Sequence, residues 1–315
     1  MDSPVVSALL PVVLLVALGY VVGRRGWVAK GAVKDLSNLV FLVLTPALLF
    51  RTMSKVRVEQ LDFTPVAAYF IAVIAIFAGT LAVRGFNRRA AVLALAGTFG
   101  NTVMIGVPLV SLAWGQGGLV TLFTLYTVHT VLLLTTATLV LELAVMREAS
   151  QVPGAPPRNI DATVLRAVRN ALLHPVPLPI IAALLFAQTG LAIPPVLDRT
   201  MELLGNAFGP IALLMVGASL ASTPIGEHWR GALGLSLVKN LLHPAGVVAA
   251  GWMLGLSGQP LAVMVLVASL PIGANVFLFS QRYGVAEDLV TASVGLSTLL
   301  ALVTVSIALA ATVLL

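Results

Sequence analysis

Residues 98–110 read TFGNTVMIGVPLV, and this stretch decides the fold. It lies inside an apolar region long enough for one unbroken helix, yet Gly100, Asn101, Thr102, Gly106 and Pro108 fall within nine positions. Proline removes a backbone N–H and clashes with the preceding turn, while glycine permits φ values that a helix cannot hold. The pattern therefore predicts a helix that unwinds in its middle. The surroundings say where such a break can exist. Of the 315 residues, 59% are hydrophobic and 10% charged, and the mean hydropathy is +1.05. A water-soluble domain does not tolerate that composition on its surface. Apolar stretches of about 17–25 residues, each able to cross roughly 30 Å of hydrocarbon, recur along the chain and leave no room for a separate soluble domain.

Gly, Pro and charge, used as punctuation, predict helices at about 5–23, 36–51, 65–83, 90–112, 118–146, 171–189, 201–222, 230–254, 260–281 and 288–313. These are ten spans of an all-α membrane protein. The start MDSPVVSALL has an acidic residue where a signal peptide carries its positive region, so the first span is expected to be retained. The one long polar connection, residues 147–170, is Pro-rich and reads as a linker between residues 1–146 and 171–315.

The positive charges fix an expected orientation. Arg24, Arg25, Lys30, Lys34, Arg84, Arg88, Arg89, Arg147, Arg158, Arg166, Arg169, Arg230 and Arg282 fall on one side. Only Arg51, Lys55, Arg57 and Arg199 fall on the other, with Lys239 inside a span. This bias places the linker in the cytoplasm and both termini outside a multi-pass cell (inner) membrane protein. It also explains the high pI of about 10.2 without nucleic acid, because the cations are scattered through short loops.

Five spans is an odd number, so a duplicated five-helix unit enters the membrane in opposite senses, as in many secondary transporters. Traces of duplication are present. PALL at Pro46 parallels PIALL at Pro210, and AWGQGGLVT (113–121) parallels RYGVAEDLVT (282–291). Under that pairing span four corresponds to span nine, which is interrupted by LPIGANVF (270–277), with Pro271, Gly273 and Asn275. Unwound backbone at membrane depth must be buried in protein or line a polar cavity. Two such breaks meeting near the midplane bring helix N-termini together, and these bind anions. Asn101, Thr102 and Asn275 add side-chain donors.

Ionisable residues inside spans are functional candidates by default. His129 lies near the middle of span five in LYTVHTVLL. In span eight, VKNLLHP places Lys239 and His243 four apart on one helix face, and Lys239 is close enough to the cytoplasmic end to snorkel. His129, Lys239 and His243 are thus candidates for coupling to H+ or Na+. No Asp or Glu falls in the middle of a predicted span, which argues for an anionic substrate. There is no cysteine, no HExxH, no GxSxG and no GK[ST] P-loop, so no metal site, cofactor or enzymatic activity is expected.

GNTVMIGVPLV followed by AWG (100–115) resembles the span-four motif of the auxin efflux carrier family. LPIGANVFLFSQRYGVAEDLVTASVGLSTLLALVTV (270–305) is similar to that family's spans nine and ten. LSNLVFLVLTPALLF (36–50) and GNAFGPIALLMVGASLA (205–221) are similar to its spans two and seven. The resemblance implies a ten-helix inverted-repeat carrier whose crossed helices four and nine form a substrate site between a scaffold and a transport domain. Such carriers move organic anions: auxin in plants, and malonate, malate or related carboxylates in bacteria. By motif, Asn101 and Pro108 belong to the span-four crossover, and His129 stands where plant members have a substrate-contacting glutamine; with Thr102, Gly106, Gly273 and Asn275 from the two breaks, these are the expected substrate-binding residues. Two departures exist: Val276 occupies the position of the plant span-nine proline, and the long cytoplasmic loop is short, as in bacterial members. The expected partners are a small organic anion and the bilayer, with a homodimer possible. Rival readings are a sodium-coupled symporter of the bile-acid type and a ligand-binding membrane receptor.

Overall fold

The computed structural model describes residues 4–149, 165, 166, 168–170, 172–224 and 226–311. Most of the predicted linker, residues 150–164 and 167, lies outside the described residues. The rest is an all-α, multi-pass bundle. Among the described residues six helical stretches are long and apolar enough to cross a membrane, and Leu9–Arg24, Pro177–Gln188 and Gly258–Ser269 are shorter apolar helices. Large apolar side chains such as Leu14, Ile74, Val83, Leu185 and Val303 are exposed on the outside of the bundle. That surface suits hydrocarbon rather than water.

Helix α1 (Pro4–Arg24) crosses α8 (Pro195–Leu220) in backbone contact. A Cβ on Gly19 would lie 2.1 Å from the Leu214 carbonyl oxygen, and one on Gly217 would lie 2.0 Å from that of Val16. Small residues let membrane helices approach this closely. Helix α2 (Lys30–Leu39) runs on through Val40–Leu44 into α3 (Thr45–Met53) as one rod. Arg51 ties that rod to α8 with two hydrogen bonds to Asp198, at 2.9 and 3.0 Å. Helix α4 (Thr64–Arg84) precedes the broken helix, whose first half is α5 (Arg88–Thr98). The run α6 (Val107–Ala149) is two helices meeting at Gly115, where φ is 58° and ψ −141°. Helix α7 (Pro177–Gln188) packs on α3.

The span carrying Lys239 comprises α9 (Trp229–Leu237), a wide turn Val238–Leu242 and α10 (His243–Met253). The second broken helix follows as α11 (Gly258–Ser269) and α12 (Asn275–Tyr283), and α13 (Glu287–Ala311) closes the described chain.

Three wide π turns, Val40–Leu44, Thr102–Gly106 and Val238–Leu242, each end two residues before a proline: Pro46, Pro108 and Pro244. In each, the N–H just ahead of the proline bonds five residues back: Thr45 to Val40, Val107 to Thr102, His243 to Val238. The proline ring collides with the carbonyl of residue i−4, and widening the turn relieves the collision. The extra residue in each turn changes which side chains face inward. Lys239 is the main consequence: the sequence expectation was a snorkelling lysine, and the side chain is instead fully buried, as are Asn240 and His243. Glu142 is also buried and accepts a hydrogen bond from the Tyr283 hydroxyl at 2.9 Å.

Candidate functional site: the crossing of two broken helices

Both predicted breaks are present, and they touch. Phe99 leaves α5 in an extended conformation (φ −94°, ψ 113°) and Leu270 leaves α11 likewise (φ −63°, ψ 152°). Leu270 precedes Pro271, and a residue before proline is driven out of the helical region. The two unwound segments pair as a short antiparallel bridge between Gly100 and Ile272. Asn101 N donates to Pro271 O at 2.8 Å and Gly273 N donates to Phe99 O at 3.0 Å. Ile272 N donates to Ser297 Oγ of α13 at 3.1 Å. The freed N–H groups of Asn101, Ile272 and Gly273 are therefore satisfied by the other break or by a neighbouring helix, as burial demands.

The N-terminal ends of the two second halves, at Thr102 and Asn275, line one cavity of about 170 Å3. Of the candidate residues, Asn101, Thr102, Gly273 and Asn275 line it together. Tyr126, Ser37, Ser219, Thr223 and Thr298 complete its polar wall, and no charged side chain is among its lining residues. Asn101 and Asn275 are half-buried. Thr102 is buried, and its hydroxyl has no hydrogen-bond partner among the described residues. Val276, at the departure from the plant pattern, is buried and outside the cavity wall.

Pro108 lies elsewhere. It lines a second cavity, of about 390 Å3, with Arg51, Gln116, Glu202 and Asn206. The first cavity is bounded by Ser37 and Phe41 and by Ser219 and Thr223; the second by Leu48 and Arg51 and by Met201 and Gly205. These are opposite ends of the same two helical rods, so the broken helix runs from one cavity to the other, with Gly106 between them. His129 is at neither cavity. Its ring stacks on Phe99 (centroids 5.1 Å apart, 29° between planes) and meets Tyr69 edge-on at 5.5 Å. Tyr69 in turn meets His243 at 4.9 Å. Nε2 of His129, both ring nitrogens of His243 and the Tyr69 hydroxyl have no hydrogen-bond partner among the described residues.

Lys239, which sequence reasoning misplaced, completes the crossing. Its ammonium donates to Ala268 O at 2.5 Å and to Leu270 O at 2.8 Å. The signal that could have found it is Pro244, five residues on.

A bundle of apolar helices whose broken members cross at a polar cavity is the architecture of a membrane carrier. Sequence comparison agrees: the membrane transport protein family matches residues 4–309, and the chain belongs to it. Its relatives include a protein of Rhizobium meliloti (strain 1021) called "Putative malonate transporter", 29% identical over 96% of this chain and 94% of its own. "Uncharacterized transporter YfdV" of Escherichia coli K12 is 24% identical over 93% of each chain. Auxin efflux carrier component 8 of Arabidopsis thaliana is 27% identical over 45% of this chain and 40% of its own. The protein is thus a multi-pass membrane transporter and not an enzyme.

Proposed function

We propose that the protein is an alternating-access secondary carrier for a small organic anion, a mono- or dicarboxylate, in the cytoplasmic membrane. The observation that carries this reading is the convergence of two half-helix N-termini on a cavity walled by Asn101, Thr102 and Asn275 and free of carboxylates. Helix N-termini present free N–H groups and a positive dipole end to an anion. The Thr102 hydroxyl and the two amides donate further hydrogen bonds, and Gly273 lets the two unwound chains cross closely enough to bring both ends to the cavity. His129 contributes from behind Phe99 by holding that ring against the cavity. The malonate in the Rhizobium relative's name and the auxin in the Arabidopsis one's are both carboxylates, in accord with this choice.

The proposed architecture is ten spans in two inverted five-helix repeats, 1–146 and 171–315, joined by a cytoplasmic linker at 147–170, with both termini outside. The cavity at the crossing and the one around Pro108 are then the two ends of one path, and the crossing moves past the α1, α2–α3 and α8 scaffold to open each in turn. Purified protein in liposomes should accumulate labelled malonate or another small dicarboxylate. Failure to move any of a panel of mono- and dicarboxylates under a pH gradient, a sodium gradient or a membrane potential would overturn the proposal. A receptor would bind the same anion without moving it, which the same assay separates.

A further inference from the structure

The crossing has a second pole, and the anion site uses only the first. Each broken helix contributes a first half that ends near the bridge, α5 at Thr98 and α11 at Ser269, and each end carries unsatisfied carbonyls and the negative end of a helix dipole. Some of those carbonyls are satisfied locally: Thr98 Oγ1 donates to Ala94 O, Ser269 Oγ to Leu266 O, and Phe99 O accepts from Gly273 N. Ala268 O and Leu270 O, at the end of α11 and just past it, both accept from the Lys239 ammonium. The same ammonium lies beside the unwound segment of the other broken helix: a Cβ built on Gly100 would lie 3.4 Å from Nζ. Lys239 is fully buried, and no carboxylate is paired with it among the described residues. A buried cation without an acidic partner must be stabilised by dipoles, and here the C-terminal end of α11 and the unwound carbonyl after it supply them.

Unwound carbonyls and half-helix C-termini in carriers of this general construction are where a coupling cation is coordinated. We infer that the Lys239 ammonium is a tethered replacement for such an ion, so that the crossing holds its own permanent cation and needs no sodium. Pro244 makes this possible: the wide turn it imposes directs Lys239 to the crossing, while Asn240 in the same turn donates to Ser297 O at 2.9 Å. The inference concerns the crossing alone and does not depend on the anion reading.

The test needs no substrate, so its failure and the failure of the anion reading are separable. Thermal unfolding of the purified full chain is followed in sodium, potassium and choline chloride at equal ionic strength. The wild-type midpoint should be the same in all three. Lys239→Ala and Lys239→Gln should unfold several degrees lower in choline, and sodium should restore most of that loss saturably, because an ion that binds only the folded state raises its midpoint. Lys239→Arg should show no sodium effect. A loss in the neutral variants that no cation restores, or a saturable sodium stabilisation of the wild type, would overturn the inference. Should the neutral variants fail to fold, radiolabelled sodium binding to the wild type decides: no saturable binding supports the tethered cation, and saturable binding removes it.

Discussion

The two breaks reach the same outcome by different causes. In the second half of the chain the break is made by Pro271, which forces Leu270 to be extended, and α12 resumes at Asn275 with no proline of its own. In the first half the unwinding at Phe99–Asn101 contains no proline at all, and Pro108 acts later, widening the turn Thr102–Gly106 beyond the break. The missing plant-type proline at Val276 therefore leaves no gap in the structure. The two breaks also divide the labour at the bridge. A Cβ on Gly273 would lie 2.9 Å from Gly100 O and 2.9 Å from Phe99 Cδ1, whereas one on Gly100 would meet nothing closer than 3.4 Å. Similar Gly- and Asn-bearing breaks thus differ in structure: the glycine of the second sets how closely the chains cross.

Gly273→Ala is the largest expected effect. Neither the Gly100 carbonyl, fixed in the bridge, nor the Phe99 ring, stacked on His129, can withdraw cheaply, and overpacking of this kind costs about 1–3 kcal/mol or more. The variant should lose transport entirely and unfold several degrees below wild type in a detergent melt. Unchanged uptake would show that the bridge spreads without consequence.

Thr102→Val comes next. It preserves volume and removes one hydroxyl that is buried, unpartnered and at the cavity wall. Folding should not change, since no protein hydrogen bond is lost. A hydrogen bond to a charged ligand is worth about 1.5–3 kcal/mol, so substrate affinity should fall about tenfold or more. Asn275→Ala should act in the same direction from the other half of the site. Affinity measured by thermal shift with small dicarboxylates checks both, and equal affinity in Thr102→Val would take that hydroxyl out of the site.

Most of this framework was legible in the sequence, and the reason is local. Gly and Pro inside an apolar run are strong signals because the bilayer leaves unwound backbone so few places to go. Asn101, Thr102, Gly273 and Asn275 could be grouped from two such runs at corresponding positions. What was hidden depended on rotation about a helix axis. Lys239 and His243, taken as four apart on a regular helix, gave a snorkelling lysine; the extra residue in the turn before Pro244 sends it inward instead. His129 is buried, but sequence alone carries no trace of Phe99 standing between it and the cavity. The bridge itself joins residues far apart in the chain, so its partners could be surmised from the repeat but its glycine asymmetry could not.

Pro108→Ala tests the cause assigned to the first break. With the ring gone, residue 108 regains an N–H for the Met104 carbonyl, and the wide turn can close into a regular helix. Stability should change little. The rotation of Thr102 relative to the second cavity should slow transport a few-fold with affinity nearly intact, read as a lower maximal uptake rate at unchanged half-saturation. A collapse as deep as that of Gly273→Ala would mean that Pro108 makes the break and that the two halves are equivalent after all.

Gly100→Ala should do least, and that small effect is the sharpest test of the asymmetry. The new methyl would lie 3.4 Å from Lys239 Nζ, 3.5 Å from its Cε and 3.6 Å from Leu270 Cβ, which are ordinary contacts. Its φ is not in the left-handed region, so no strain is added. Replacing glycine where the backbone already suits alanine reduces the freedom of the unfolded chain and stabilises by about 0.4–1 kcal/mol. The variant should therefore melt at or slightly above the wild-type temperature and transport at close to the wild-type rate. Two glycines at the same bridge, one indispensable and one replaceable, follow only if the close approach is made from the second half. If Gly100→Ala is as damaging as Gly273→Ala, the crossing is symmetric, and the contact with Lys239 is tighter than its distances imply.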